Sequence, residues 1–273
     1  MKYRPALLLG LAIGLSAAFL GPLFGQDSLS VDLFPGGKIF PRFTADGMEH
    51  TVSLSKVTQN SDWIGTIGAV VPVAQVAGEA YIVQAGLAVT TFNGLIKPPG
   101  QLTVYTIDYR VDFPLDARFG PLALRVALGH ISSHFADDGI ELLGQHSVQV
   151  IKDYVGAAAS YDVPPIGGYL YGRTDYIYHI VPYRDRNWQF QFGGELGNFL
   201  VAGFVRPYGA FDVKIKEQVA WGTTQSYQVG LRFYVKQNLP VRLAYTYRTG
   251  YDERGQFFDQ REDFHIFGVY LDL

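Results

Sequence analysis

The strongest constraint on this chain is a strict two-residue alternation between apolar and polar side chains, clearest in residues 102–113. There Tyr105, Ile107, Tyr109, Val111 and Phe113 alternate with Thr106, Asp108, Arg110 and Asp112. Successive side chains of a β-strand point to opposite faces of the sheet, so this period indicates a strand with one apolar face and one ionic face. The alternation recurs in residues 226–235 and 241–248. The chain is therefore predicted to be all-β.

The alternation alone fits either a soluble β-sandwich, with the apolar face inward, or the inverse arrangement. Several features favour the inverse, in which the apolar face points outward. The strands reach ten residues or more, which suits tilted membrane-spanning strands of about 9–11 residues. Aromatic residues such as Trp63, Tyr81 and Trp188 crowd the strand ends, where interfacial girdles lie. Charged residues make up only 17% of the chain, against about 25% in soluble domains. The sequence predicts an antiparallel transmembrane β-barrel.

The connections between strands give the barrel a direction. About twelve strands fit into residues 49–273, and an even number closes the sheet without an exposed edge. Short connections, among them Pro114–Arg118, are predicted at the periplasmic end. Longer and more polar ones, among them His134–Gly144, are predicted outside. Short periplasmic turns and long external loops are typical of bacterial outer-membrane barrels.

The N-terminal residues predict export. Lys2 and Arg4 precede an apolar stretch from Ala6 to Leu20, and small residues follow up to Gly25. This order is typical of a secretory signal, here residues 1–25. The alternative, a membrane anchor, is disfavoured because the stretch is shorter than the ~20 residues that span a bilayer. Residues 26–48 are interpreted either as a periplasmic lead-in or as a plug that folds into the barrel.

Charge and cysteine content exclude several classes of function. The 22 basic and 25 acidic residues form no basic stripe, so nucleic acid is not an expected partner. The absence of cysteine excludes disulfides and thiol catalysis. At the C-terminus Phe267, Val269, Leu271 and Leu273 alternate to the last residue, which resembles the strand that barrel-assembly machinery recognises.

Several motifs in the mature chain resemble one bacterial family. They are Phe34-Pro35, Ile39-Phe40-Pro41, Ala45-Asp46-Gly47, Asp108-Tyr109-Arg110-Val111, the run from Gly129 to Asp138, and Gly255-Gln256-Phe257-Phe258. Together they resemble the family catalogued as domain of unknown function 1207. Ala136, Asp138 and Gly47 depart from the Gly, Glu and Pro expected there. The resemblance implies an exported β-barrel of uncertain role and supplies no reaction.

One group of residues carries candidate chemistry. In the predicted strand 119–133, every second residue from Leu122 to Leu128 is apolar and is expected to face lipid. Continuing this alternation places His130, Ser132 and His134 on the same lipid-facing row at the outer end. A His and a Ser two residues apart on a strand project side by side, so the imidazole can take the hydroxyl proton. This His-x-Ser order resembles outer-membrane phospholipase A and the lipid A deacylase barrels, although the Asn that follows Ser in those enzymes is Ser133 here. Orienting candidates for the imidazole are Glu141, Gln145 and Ser147.

Other polar residues have simpler predicted roles. Asp137 and Asp138 are possible Ca²⁺ ligands, and no other cofactor is expected. An ionic network lining the lumen is predicted for Asp108, Arg110, Asp112, Arg125, Arg232, Arg242 and Arg248, together with Lys214 and Lys216.

Two functions stay open. The first is a scaffold or small-solute barrel, in which His130, Ser132 and His134 are polar rim residues that contact outer-membrane lipid. The second is a lipid esterase or deacylase that acts through Ser132 and His130.

Overall fold

The computed structural model describes residues 29–97, 101–144, 146–182, 185–197, 204–234 and 240–273. The strands are β1 (Ser30–Leu33), β2 (Val52–Val57), β3 (Asp62–Ala77), β4 (Ile82–Ile96), β5 (Thr103–Phe119), β6 (Leu122–Phe135), β7 (Val150–Val163), β8 (Gly168–Val181), β9 (Trp188–Leu196), β10 (Val205–Lys216), β11 (Gly222–Tyr234), β12 (Pro240–Tyr251) and β13 (Arg261–Leu271). Helix α1 spans Asp137–Leu143, and short 3₁₀ turns occupy Pro164–Ile166, Glu217–Val219 and Gly255–Phe257. Within these ranges, no helix has the length and apolar character needed to cross a membrane.

Strands β2 to β13 form a closed antiparallel barrel, which confirms the predicted fold class. Each strand pairs with the next along the chain, and β13 pairs with β2 to close the ring. β1 is an additional strand that pairs with the end of β3, Ser30 opposite Ala77 and Leu33 opposite Ala74. The sequence did not predict β1, because four residues are too few for an alternating pattern to show.

The predicted connection Pro114–Arg118 is wrong, since these residues continue β5. Pro114 faces inward and is buried. The ladder between β4 and β5 is interrupted here. Ala85 pairs with Leu115 and Ala88 pairs with Asp112, but the two residues between them on each strand are not paired. Proline has no amide N–H to donate, so it is tolerated where the ladder is interrupted. The chain turns instead at Gly120, whose φ of +56° suits glycine.

The faces of the strands are arranged as the alternation predicts. On β5, Phe113 is 58% exposed on the outside while Asp108 is 1% exposed on the inside. On β6, Val126 and Leu128 are exposed, whereas Ala127 between them is buried. The apolar rows therefore form the outer surface and the polar rows line the lumen.

The cations predicted for the lumen lie inside the barrel, and each of the five arginines among them has a carboxylate partner. The pairs are Arg110 with Asp112 at 2.8 Å, Arg125 with Asp116 at 2.7 Å, Arg232 with Glu195 at 2.8 Å, Arg242 with Asp272 at 2.9 Å and Arg248 with Glu262 at 3.7 Å. Asp108 accepts hydrogen bonds from the Ser133 hydroxyl and from the Gly255 amide. Removing one partner of such a buried pair costs about 3–5 kcal/mol, because the other charge is left without compensation.

Residues 38–51, called the plug segment below, run through the inside of the barrel. The Phe43 ring stacks on Tyr171 with 4.2 Å between ring centroids. Asp46 forms an ion pair with Lys214 of β10. Burial alone raises the pKa of Asp46, but the Lys214 ammonium outweighs burial and holds that pKa below its ordinary value. The carboxylate is therefore charged at neutral pH and ties the segment to the barrel wall.

The outer mouth, the end of the barrel with the longest described loops, is covered by the connection between β12 and β13. Gln256 donates hydrogen bonds to the carbonyl oxygens of Ser133 at 2.8 Å and Val148 at 2.7 Å. Gly255 packs so closely on Ser133 that a Cβ added at this glycine would lie 2.4 Å from the Ser133 Cβ. The plug segment and this connection together fill the lumen apart from small cavities.

A filled lumen predicts that the protein does not conduct ions. In planar bilayers the wild type should show no steady conductance, whereas the double variant F43A/D46A should show openings because the plug segment loses its ring stack and its ion pair. Phe34→Ala is the control, since this side chain is 71% exposed. Steady wild-type conductance equal to that of the double variant would contradict this interpretation of the lumen.

Candidate functional site

The outward row of β6 changes character along the strand. Leu124 and Leu128 belong to the apolar belt, and the same row continues as His130, Ser132 and His134 toward the outer mouth. All of these side chains share one face because they are two residues apart. The structure thus places the three predicted residues on the outer surface of the barrel.

Asp153 of β7 is the hydrogen-bond partner of His130. The two residues lie opposite each other in the β6–β7 ladder. The Nδ1 atom of His130 lies 2.5 Å from Oδ1 of Asp153. A carboxylate can only accept, so Nδ1 carries the proton and Nε2 is left as the second ring nitrogen.

His179 of β8 holds the same carboxylate from the other side. Its Nδ1 atom donates to Oδ2 of Asp153 at 2.7 Å. His179 reaches the outer face because β8 has a bulge. Asp153 of β7 lies opposite His179 and the next residue, Tyr154, lies opposite Ile177, so Tyr178 has no partner on β7. Bulges of this kind re-aim side chains and are frequent beside active sites. We call His130, Asp153 and His179 the His–Asp–His row.

Ser132 follows His130 by two residues on the same face. Its cross-strand neighbours are Tyr109 on β5 and Ile151 on β7. In the described part of the chain the Ser132 hydroxyl makes no hydrogen bond and is not joined to His130. Side chains at this spacing are neighbours on a strand, and catalytic hydrogen bonds are often loose until substrate binds. The arrangement can therefore position a serine, an imidazole and an orienting carboxylate together.

The level of the row on the barrel explains how an outward carboxylate is tolerated. The Asp153 side chain is 24% exposed, against 45% for His130 and 54% for His179. One step closer to the barrel centre lie Val155 and Tyr176, and the Tyr176 ring contacts Trp188 with centroids 5.0 Å apart. Tyr and Trp rings mark the level of lipid headgroups, where charged and polar groups cost far less than in hydrocarbon.

Glu141, one of the predicted orienting residues, does not reach His130. It lies on α1, beyond the end of β6, and is exposed. Of the other candidates, Ser147 accepts a hydrogen bond from the Phe135 amide at 3.2 Å, and Gln145 lies outside the described residues. Asp153 takes the orienting position because the strand register places it opposite His130.

The sequence held one signal for Asp153 and none for His179. Asp153 shares its parity with Ile151 and Val155, so it is a carboxylate out of place in a lipid-facing row. The two-residue alternation would place the side chain of His179 on the inside, as it does that of Ile177. The bulge turns the His179 side chain to the outside.

Other predicted site residues lie apart from the row. The His134 ring is 6.3 Å from that of Tyr109, centroid to centroid. Asp137 and Asp138 are exposed in the first turn of α1. Among the described residues, no group of three or more His, Asp or Glu side chains is placed to hold a metal ion.

The hydrogen bond to Asp153 predicts the tautomer of His130. At pH 8, the ¹⁵N shifts of the imidazole should show a protonated Nδ1 and an unprotonated Nε2, which is the reverse of the usual preference in water. Asp153→Ala should restore the Nε2-protonated form. An Nε2-protonated His130 in the wild type would rule out the orientation described here.

Comparison with solved structures returns outer-membrane barrels. The calcium-bound dimer of the Salmonella typhi outer membrane phospholipase is 11% identical, with 82% of this chain and 90% of that chain covered and a TM-score of 0.49. The Escherichia coli outer membrane phospholipase A is 13% identical, with 86% and 93% covered and a TM-score of 0.47. The NanC porin is 11% identical, with 82% and 100% covered and a TM-score of 0.44.

No curated protein matches the chain. The family described as "Protein of unknown function (DUF1207)" matches residues 84–272. This range includes strands β5 to β13 and the whole His–Asp–His row with Ser132. The chain belongs to this DUF1207 family.

Proposed function

We propose that this barrel resides in the bacterial outer membrane and hydrolyses acyl esters of outer-leaflet lipid through Ser132, His130 and Asp153. The observation that carries the proposal is the 2.5 Å contact between His130 Nδ1 and Asp153 Oδ1. It supplies the orienting carboxylate that a nucleophile and base pair requires. The three residues come from two adjacent strands of a rigid wall, which fixes their spacing.

The chemistry follows from the protonation of the imidazole. His130 Nε2 accepts the Ser132 hydroxyl proton while Oγ attacks the ester carbonyl carbon. The tetrahedral intermediate collapses, the lipid alcohol leaves with the proton from His130, and the acyl group stays on Ser132. Water then attacks this acyl-enzyme with His130 as base, which releases the fatty acid and restores the serine. Asp153 stabilises the imidazolium that forms in each step.

The position of the site suits a lipid substrate. Ser132 lies about ten residues above Leu122 on β6, which corresponds to roughly 25 Å along the membrane normal for a strand tilted by about 40°. The apolar row of β6 lies between these two residues. An acyl chain lying against that row would bring its ester to the level of Ser132.

Two further expectations belong to this proposal. The alternating outward residues of β13, among them Phe267 and Val269, support recognition of this strand by the barrel-assembly machinery. Ca²⁺ binding by Asp137 and Asp138 stays a prediction, which EDTA added to the lipase assay would test.

Hydrolysis should depend on the three named side chains. With the purified full-length protein and mixed vesicles of phospholipid or lipid A, Ser132→Ala should reduce fatty acid release to background. Asp153→Asn should lower kcat by about 10⁴-fold, because the amide no longer fixes the imidazole or stabilises its charge. A fluorophosphonate probe should label the wild type and leave Ser132→Ala unlabelled.

His134→Gln is the matched control, because His134 lies on the same row and face of β6 but makes no hydrogen bond to Asp153 in the described structure. It should keep most of the activity. Heat-modifiable migration in gels reports that each variant is folded. Fatty acid release by folded Ser132→Ala at the wild-type rate would exclude the hydrolase.

The filled lumen favours a second candidate function, a closed structural barrel without chemistry. Lumen ion pairs such as Arg232 with Glu195, together with the plug segment, leave no wide passage in the described structure. A folded wild type that neither releases fatty acid nor reacts with the fluorophosphonate would select this candidate.

A further inference from the structure

A cavity of about 60 Å³ lies inside the barrel below the outer mouth. This exceeds the ~10–15 Å³ that one water needs. It is lined by five cationic side chains, those of Lys152, Lys214, Lys216, Arg110 and Arg173. Strands β5, β7, β8 and β10 supply them, and four carboxylates line the same cavity, those of Asp46, Asp175, Asp252 and Glu253.

The carboxylates around the cavity are already engaged. Asp46 and Glu253 both accept from Lys214. Asp175 accepts from Arg173 at 2.8 Å. Asp252 is paired with Arg254, at 2.5 Å.

Two of the lysines have no carboxylate of their own. Lys152 makes neither a hydrogen bond nor an ion pair with any residue that the structure describes. Lys216, which is 6% exposed, donates only to backbone carbonyl oxygens, that of Asp252 at 3.2 Å and that of Tyr251 at 3.5 Å. A charge inside a protein is costly without a counter-charge, so two ammonium groups facing one cavity call for an anion.

We propose that this cavity binds a small inorganic oxyanion with two negative charges, of the sulfate or hydrogen phosphate class, between Lys152 and Lys216. A dianion matches the two unpaired ammonium groups in charge, and its four oxygens can accept from both at once. The cavity is lined by inward-facing side chains, so the ligand is a free anion and not the headgroup of a membrane lipid. The site is separate from the outer His–Asp–His row.

The bound anion would also join parts of the fold. Asp46 belongs to the plug segment, and Asp252 and Glu253 belong to the connection that covers the outer mouth. An anion held by β7 and β10 removes the repulsion between the lysines beneath that cover. Binding should therefore stabilise the closed barrel.

The test uses the purified full-length protein in detergent and titration calorimetry with sodium sulfate. The wild type should bind one sulfate, and sulfate should raise its melting temperature. Lys152→Met and Lys216→Met should each weaken binding about tenfold or more, since each removes a charged hydrogen-bond donor. Lys97→Met, at an exposed lysine, should bind as the wild type does.

The variants also separate lost binding from lost folding. Without sulfate, Lys152→Met and Lys216→Met should melt no lower than the wild type, because each removes from the barrel interior an ammonium that has no carboxylate partner. Their melting temperatures should then fail to rise with sulfate. Absence of sulfate binding by the wild type, or equal binding by all three variants, would overturn the proposal.

Discussion

The closed backbone ladder is the constraint on which the rest of this structure depends. β13 pairs with β2, so the ring has no open edge there, and every strand presents one face to the outside and one to the lumen. A wall of this kind in a membrane must carry apolar side chains outward, because hydrocarbon cannot satisfy charged groups. The ionic residues are thereby forced inside. There most of them are stabilised by pairing, as Arg242 is with Asp272.

The same constraint explains the plug segment and the candidate site. A ring of twelve strands encloses more space than its inward side chains fill, and the plug segment occupies it with Phe43 and Asp46 while using the charges of the wall. On the outside, polar side chains are tolerated only near the headgroup level. His130 and Asp153 lie there as a hydrogen-bonded pair and not as isolated charges. In the proposed hydrolysis, a catalytic group on this surface would meet its lipid substrate without any channel.

Much of this architecture could be predicted from the sequence, because alternation is a local property. The two-residue alternation predicts strands β2 to β13 and the inward direction of the lumen cations. It also predicts the shared face of His130 and Ser132. Contacts between distant residues do not. Asp153 contacts His130 only because of the β6–β7 register. His179 joins them only because of a bulge, and the two-residue alternation alone would place its side chain inside the barrel. The same holds for Asp46, whose partner Lys214 is 168 residues away in sequence.

The apolar rows of the strands face lipid and the ionic rows face the lumen, and spin labelling tests this arrangement most directly. The chain has no cysteine, so single cysteines can be introduced and labelled at each position from 107 to 115 on β5 without background. In lipid bilayers, the accessibility of the labels to dissolved oxygen should alternate, with maxima at the odd positions. Maxima at the even positions, or no alternation, would contradict the account.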